Sequence, residues 1–185
     1  MRTFVALNIP LEYQLKQILQ DLKHKLLGES IKWVDISTLH LTLFFLGDTQ
    51  QRTIDEINDA FKQQIEGFPR FSLSLKGIGT FGTRVNPKVI WIGVSPSESL
   101  VELNRLVVEN IKPLGFIPDE RGFNPHITLG RIKHVKNNSL IYELVDGFKN
   151  KHFQETLIDR VVLYKSELTP HGPIYKPLIE QMLNS

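Results

Sequence analysis

Apolar and polar positions along the chain change period several times, and each change predicts an element. Residues 4–9 form a β-prone run closed by Pro10. Leu11, Leu15, Ile18, Leu19, Leu22 and Leu26 recur at helical spacing over 11–27, and Gly28 predicts the stop. Residues 31–34 read as a short strand and 35–38 as a polar connection. A strand over 39–46 follows, ended by Gly47 and Asp48. Ile54, Ile57, Phe61 and Ile65 give a second amphipathic helix. Residues 71–75 alternate strictly, as a half-buried strand does. Gly77, Gly79, Gly82, Asn86 and Pro87 predict a flexible loop, and 89–94 a buried strand.

The second half repeats this grammar. Residues 100–114 predict a helix, 115–124 a turn-rich stretch, 126–132 a strand and 140–148 a short helix. Two closing strands are expected at 157–168 and 174–178, around Thr169-Pro170-His171-Gly172-Pro173. No low-complexity linker divides the chain, so 1–185 is expected to fold as one unit of two lobes, the second a faint echo of the first.

Composition narrows this little. At 185 residues, 41% hydrophobic and 23% charged, the chain has the make-up of a globular domain with a real core. A net charge of +2 permits a polyanionic partner without demanding one. The absence of Cys removes disulfides, thiolate metal sites and a Cys nucleophile. No apolar run approaches the ~20 residues of a membrane span. The first residues lack the plan of a signal peptide. A cytoplasmic protein away from the membrane is expected.

The chemistry is concentrated in a tetrapeptide that occurs twice, His40-Leu41-Thr42-Leu43 and His126-Ile127-Thr128-Leu129, both in β-prone runs. In a strand, residues i and i+2 share a face. Each copy therefore sets an imidazole beside a hydroxyl and turns its aliphatic residues the other way. Two such pairs facing each other supply a base for a nucleophile, an acid for a leaving oxygen, and two donors for phosphoryl oxygens, which suits a phosphodiester.

With these motifs the chain resembles the 2H phosphoesterases. Within them it is similar to the RNA 2′,3′-cyclic phosphodiesterases of bacteria and archaea, historically called 2′-5′ RNA ligases. The likeness extends from Arg2-Thr3-Phe4-Val5-Ala6-Leu7 through Ile31-Lys32-Trp33-Val34, Phe44-Phe45-Leu46-Gly47, Phe81-Gly82 and Pro87-Lys88-Val89-Ile90-Trp91-Ile92-Gly93. It continues through Pro125, the second motif with Gly130-Arg131, and Ser166-Glu167-Leu168 with Gly172 and Tyr175. Gly130 departs from the pattern, where Ala is more usual. The resemblance implies an α+β, bilobal, pseudo-two-fold fold, with two antiparallel sheets backed by helices around a central cleft. It implies hydrolysis of RNA or nucleotide 2′,3′-cyclic phosphates to 2′-phosphomonoesters without cofactor or metal, and a weaker, reversible 2′-5′ joining of RNA ends. His40 takes the role of proton donor to the leaving ribose oxygen and His126 that of the base for water. Thr42 and Thr128 hold non-bridging oxygens.

Other residues are weighed individually. Arg131 suits phosphate, but at His126 + 5 it faces the far side of a regular strand unless a bulge re-aims it. Phe4 and Tyr175 are candidates to stack a base, with core packing the stronger reading for Phe4 and neither reading favoured for Tyr175. Trp33 and Trp91 read as core, Arg84 and Lys88 as surface charge, and His24, His134, His152 and His171 as solvated. A site complete within one chain points to a monomer. Three alternatives stand beside the main reading: a non-catalytic RNA-end-binding module, a phosphodiesterase for another small cyclic phosphate or a 2′-5′ oligonucleotide, and a metallohydrolase. The last is weakest, because a catalytic zinc needs about three protein ligands and no Glu, Cys or close-spaced His stands beside either motif.

Overall fold

A computed structural model describes every residue except Arg121, His171 and Ser185, so the expectation for His171 lies outside the described residues. The elements run β1 (Arg2–Asn8), α1 (Tyr13–Lys25), β2 (Ser30–Trp33), β3 (His40–Asp48), α2 (Gln51–Gln64), β4 (Phe71–Thr83), β5 (Asn86–Val94), α3 (Glu98–Ile111), β6 (His126–His134), α4 (Asn138–Asp146), β7 (His152–Ile158), β8 (Arg160–Thr169) and β9 (Gly172–Met182). The expected α+β class holds. The strands lie in the order β7-β4-β5-β6-β3-β1-β8-β9, with β2 also paired to β6, and all pairings are antiparallel. The two sheets implied by the resemblance are halves of one continuous sheet. Among the described residues the halves, β3-β1-β8-β9 and β6-β5-β4-β7, join at a single register pair, Leu41 opposite Ile127.

One sheet face carries the core. Val5, Leu7, Leu41, Leu43, Leu73, Leu75, Ile90, Ile92, Ile127, Leu129, Val161 and Leu163 pack there against the apolar stripes of the helices. Those stripes include Leu15, Leu19 and Leu22 of α1, Ile54, Ile57 and Phe61 of α2, Leu100, Leu103 and Val107 of α3, and Ile141 and Val145 of α4. At about 25 cal/mol per Å² of apolar surface, this burial is what fixes the halves around the other, open face.

Three local expectations differ. The glycine-rich stretch after Leu75 is strand, not loop: β4 continues to Thr83 and pairs with β5. Gly77, with φ of 76°, sits where the register shifts, and a side chain at Gly79 would overlap the Trp91 ring. The glycines mark a bulge and a close approach, which local composition does not distinguish from a turn. The single strand expected at 157–168 is two strands broken at Asp159, β7 beside β4 in one half and β8 beside β1 in the other. Finally, α1 ends at Lys25 and Gly28 is not left-handed, so the glycine is not its cap.

Candidate active site

Lateral pairing fixes which side chains look out of the open face. On β1, Phe4, Ala6 and Asn8 are spaced by two and stand opposite Phe45, Thr42 and His40 of β3. On β5, Val89, Trp91 and Gly93 stand in the same relation to Arg131, Thr128 and His126 of β6. Both motif strands carry an extra residue at the equivalent place, Leu43 against β1 and Leu129 against β5, and both show the same burial sequence over the first seven residues from the histidine. The bulge answers the open question about Arg131: the extra residue turns it onto the face of His126 and Thr128. Neither bulged carbonyl is orphaned. Leu43 O accepts from the buried Asn104 amide of α3 at 2.9 Å, and Leu129 O from Val34 N at 2.8 Å.

The histidines begin their strands and are held alike. His40 Nδ1 lies 2.8 Å from Thr38 O, and His126 Nδ1 lies 2.8 Å from Asn124 O. A carbonyl only accepts, so Nδ1 donates in both rings and Nε2 is left for chemistry. The hydroxyls of Thr42 and Thr128, both half-buried, have no hydrogen-bond partner among the described residues. With Leu41 opposite Ile127 in antiparallel strands, His40 falls on the side of Thr128 and His126 on the side of Thr42.

The walls differ. His40 meets Phe4 at 4.9 Å and the edge of Tyr175 at 5.1 Å, whereas His126 meets the edge of Phe81 at 4.7 Å. Burial pushes the His40 imidazole below the usual histidine range, opposed by its bond to the Thr38 carbonyl. Burial also raises the Tyr175 phenol, with the charges of Arg131 and Arg2 acting against it. A cavity of about 90 Å³ opens beside His40, lined by Asn8, Ser37, Thr38, Tyr164 and Tyr175.

The sequence expectations fall out unevenly. His40, Thr42, His126, Thr128, Arg131 and Tyr175 share the open face. Phe4 is only 4% exposed and backs His40, Phe45, Tyr164 and Tyr175, as a packing residue does. Trp33 packs on the core, as expected. Trp91 does not: it stands beside Thr128 on the open face, between Gly79 and Phe81, because the core face of β5 is taken by Ile90 and Ile92. Ile31 and Trp33 crowd Gly130, which accounts for Gly where Ala is usual. His24, His134 and His152 are exposed, His152 beside Glu155 at 2.9 Å. Lys88 is exposed, and Arg84 stacks on Tyr142 at 4.9 Å. Phe81, Asn8, Tyr164 and Asn104 were not singled out from sequence. The signal for Phe81 was a lone aromatic at alternating distance from Gly79; Asn104 gave none. No group of three or more His, Cys, Asp or Glu comes together among the described residues, so the donor set of a catalytic zinc is not offered there.

A family model described as the 2′-5′ RNA ligase superfamily matches residues 12–170. The chain belongs to this superfamily. Among its relatives, a Thermotoga maritima protein named RNA 2′,3′-cyclic phosphodiesterase is 36% identical over 182 residues, 97% of this chain and 94% of that protein. One of the same name from Methanocaldococcus jannaschii is 35% identical over 97% of this chain and 99% of its own length. The fold is shared with a Thermus thermophilus protein (TM-score 0.81, 24% identity, 98% of this chain and 97% of that one). It is also shared with E. coli LigT complexed with 3′-AMP (TM-score 0.78, 22% identity, 100% and 98%). No helix among the described residues is long and apolar enough to cross a membrane.

Proposed function

We infer that this member of the superfamily hydrolyses 2′,3′-cyclic phosphates of RNA ends and nucleotides to 2′-phosphomonoesters by two-histidine acid–base catalysis. The observation that carries the reading is the pair of equivalent His–Thr rows on one open face, each with Nδ1 tied to a carbonyl and Nε2 free. The names borne by relatives at about 35% identity over nearly the whole chain support the same substrate class.

His126 Nε2 takes a proton from water as the water attacks phosphorus. His40 Nε2 gives a proton to O3′ as the P–O3′ bond breaks, and the phosphate stays on O2′. The Thr42 and Thr128 hydroxyls and the Arg131 guanidinium bear the charge that grows on the non-bridging oxygens. The cavity beside His40 lies where the ribose and base of the departing O3′ belong. Burial disfavours the protonated form of His40, so its acid role draws on the bound phosphodiester anion raising its pKa. We also read the protein as a monomer acting in the cytoplasm, with 1–185 one unit, because one chain carries both His–Thr pairs.

The test is product analysis with 2′,3′-cyclic AMP and a cyclic-phosphate-ended oligonucleotide, with and without EDTA. The expected product is the 2′-phosphate at a rate unchanged by EDTA. A 3′-phosphate product reverses the assigned geometry. Activity lost to EDTA and restored by one divalent ion replaces the acid–base pair with a metal-bound hydroxide. Turnover confined to another cyclic phosphate or to 2′-5′ oligonucleotides moves the substrate, and binding without turnover leaves an RNA-end-binding module.

A further inference from the structure

Each catalytic imidazole is aimed by a carbonyl two residues ahead of it, but the two carbonyls sit in different settings. Asn124, which holds His126, lies outside any helix or strand. Thr38, which holds His40, closes a single 3₁₀ turn over Ile36–Thr38. Asp35 caps that turn. Its Oδ1 accepts from Ser37 N at 2.8 Å and from Ser37 Oγ at 2.7 Å. Its backbone carbonyl accepts from Thr38 N and from Thr38 Oγ1, both at 3.0 Å.

A 3₁₀ turn has poorer hydrogen-bond geometry than an α-helix, so a lone one on the surface depends on local bonds for its shape. Asp bonding to the amide two residues on is the arrangement that sets such a turn. The segment is tied on either side of the turn, by Val34 N to Leu129 O at 2.8 Å and by the start of β3 at His40. Between those ties the direction of the Thr38 carbonyl is left to Asp35. The bonds from Ser37 hold the Asp35 carboxyl below the usual carboxylate range, with the charge of Lys23 acting the same way, so it stays an acceptor at neutral pH. Ser37 and Thr38 also form a rim of the cavity beside His40. One cap therefore shapes both the support of the ring and the wall next to it.

We propose that Asp35 is a positioning residue for the acid: by capping the turn it fixes the Thr38 carbonyl, and through it the tautomer and direction of the His40 ring. The proposal rests on the reading of His40 as the acid. Asp35 touches neither the substrate nor the reacting atoms. It acts by accepting hydrogen bonds, not by its charge, and the bond that His40 Nδ1 donates decides which nitrogen is free.

The experiment compares Asp35→Ala with Asp35→Asn and Asp35→Ser, two side chains that cap about as well as Asp. It reads kcat and KM on 2′,3′-cyclic AMP, the ring nitrogen chemical shifts of His40 and His126, and a thermal melt. Asp35→Ala lowers kcat about 2- to 30-fold, the usual worth of such a cap converted to a rate, with a smaller change in KM. Its His40 ring passes from one tautomer to a mixture, while His126 is unmoved. The Asn and Ser variants keep the wild-type kcat and the single tautomer. If Asn fails as Ala does, the charge matters and the cap does not, and the proposal is overturned. An Ala variant with the wild-type His40 tautomer overturns it too, as does one whose His126 shifts and melting temperature change in step with kcat. A wild-type protein that turns over no cyclic phosphate removes the reading of His40 as acid, while the tautomer comparison still decides whether Asp35 orients the ring.

Discussion

Replacing Thr42 or Thr128 by Val deletes one hydroxyl and leaves the branching, the strand propensity and nearly all the volume in place. Neither hydroxyl is bonded among the described residues, so neither deletion orphans a partner. Both side chains are half-buried beside the cleft, and the thermal midpoint should move little, corresponding to about 0.5 kcal/mol or less. The transition state is different. Charge gathers on the non-bridging oxygens as phosphorus becomes five-coordinate, and loss of one oriented donor costs about 2.7–4 kcal/mol, or 10²–10³ in kcat. Because the two rows are equivalent by register, the two single variants should lose similar amounts, and kcat should fall more than KM rises. Steady-state kinetics on 2′,3′-cyclic AMP beside a thermal melt make the comparison. Unchanged kcat/KM in either variant, or a large fall in melting temperature in step with activity, would refute the reasoning, because the hydroxyl would then serve the fold.

Two further predictions follow from what surrounds the rows. Asn104→Leu leaves the bulged Leu43 carbonyl without its donor and should cost about 1–3 kcal/mol in chemical denaturation; an unchanged midpoint would mean the bulge needs no support from α3. Tyr175→Ala admits water to His40 and should raise its imidazole pKa, read by NMR titration of the ring. In the wild type the unfolded chain takes up this proton near pH ~6.5 and the folded chain only at lower pH, so stability falls as pH drops between the two. The variant should lose less over that window, and an unmoved His40 titration would show that Tyr175 is not what dries the site.

The core was largely legible because its signals are periodic. The stripes of α1 and α2 follow from spacing alone, and the two His-x-Thr copies carry their own face assignment. Phe45 and Arg131 were not assignable in this way. Their direction depends on one extra residue at Leu43 and at Leu129, and those bulges are held by Asn104 and Val34, partners from distant parts of the chain. Trp91 was misread for a related reason: in a strand of alternating large residues, composition does not say which set faces the helices. Gly77 and Gly79 show the same limit, since a glycine that accommodates a bulge or lies under a ring looks locally like a turn. The break at Asp159, which sends β7 and β8 to opposite halves, is a matter of topology and leaves no periodic trace.

The central claim is that His40 and His126 work on one phosphodiester as an acid and a base. The most direct measurement is kcat/KM for a 2′,3′-cyclic nucleotide in His40→Ala, His126→Ala and the double variant, each checked for folding. Each single change should cost roughly 10²–10⁴, and the double variant should be scarcely slower than the worse single one, because the two rings act as a unit. A single variant that retains wild-type turnover, or losses that multiply as if the rings were independent, would contradict the account.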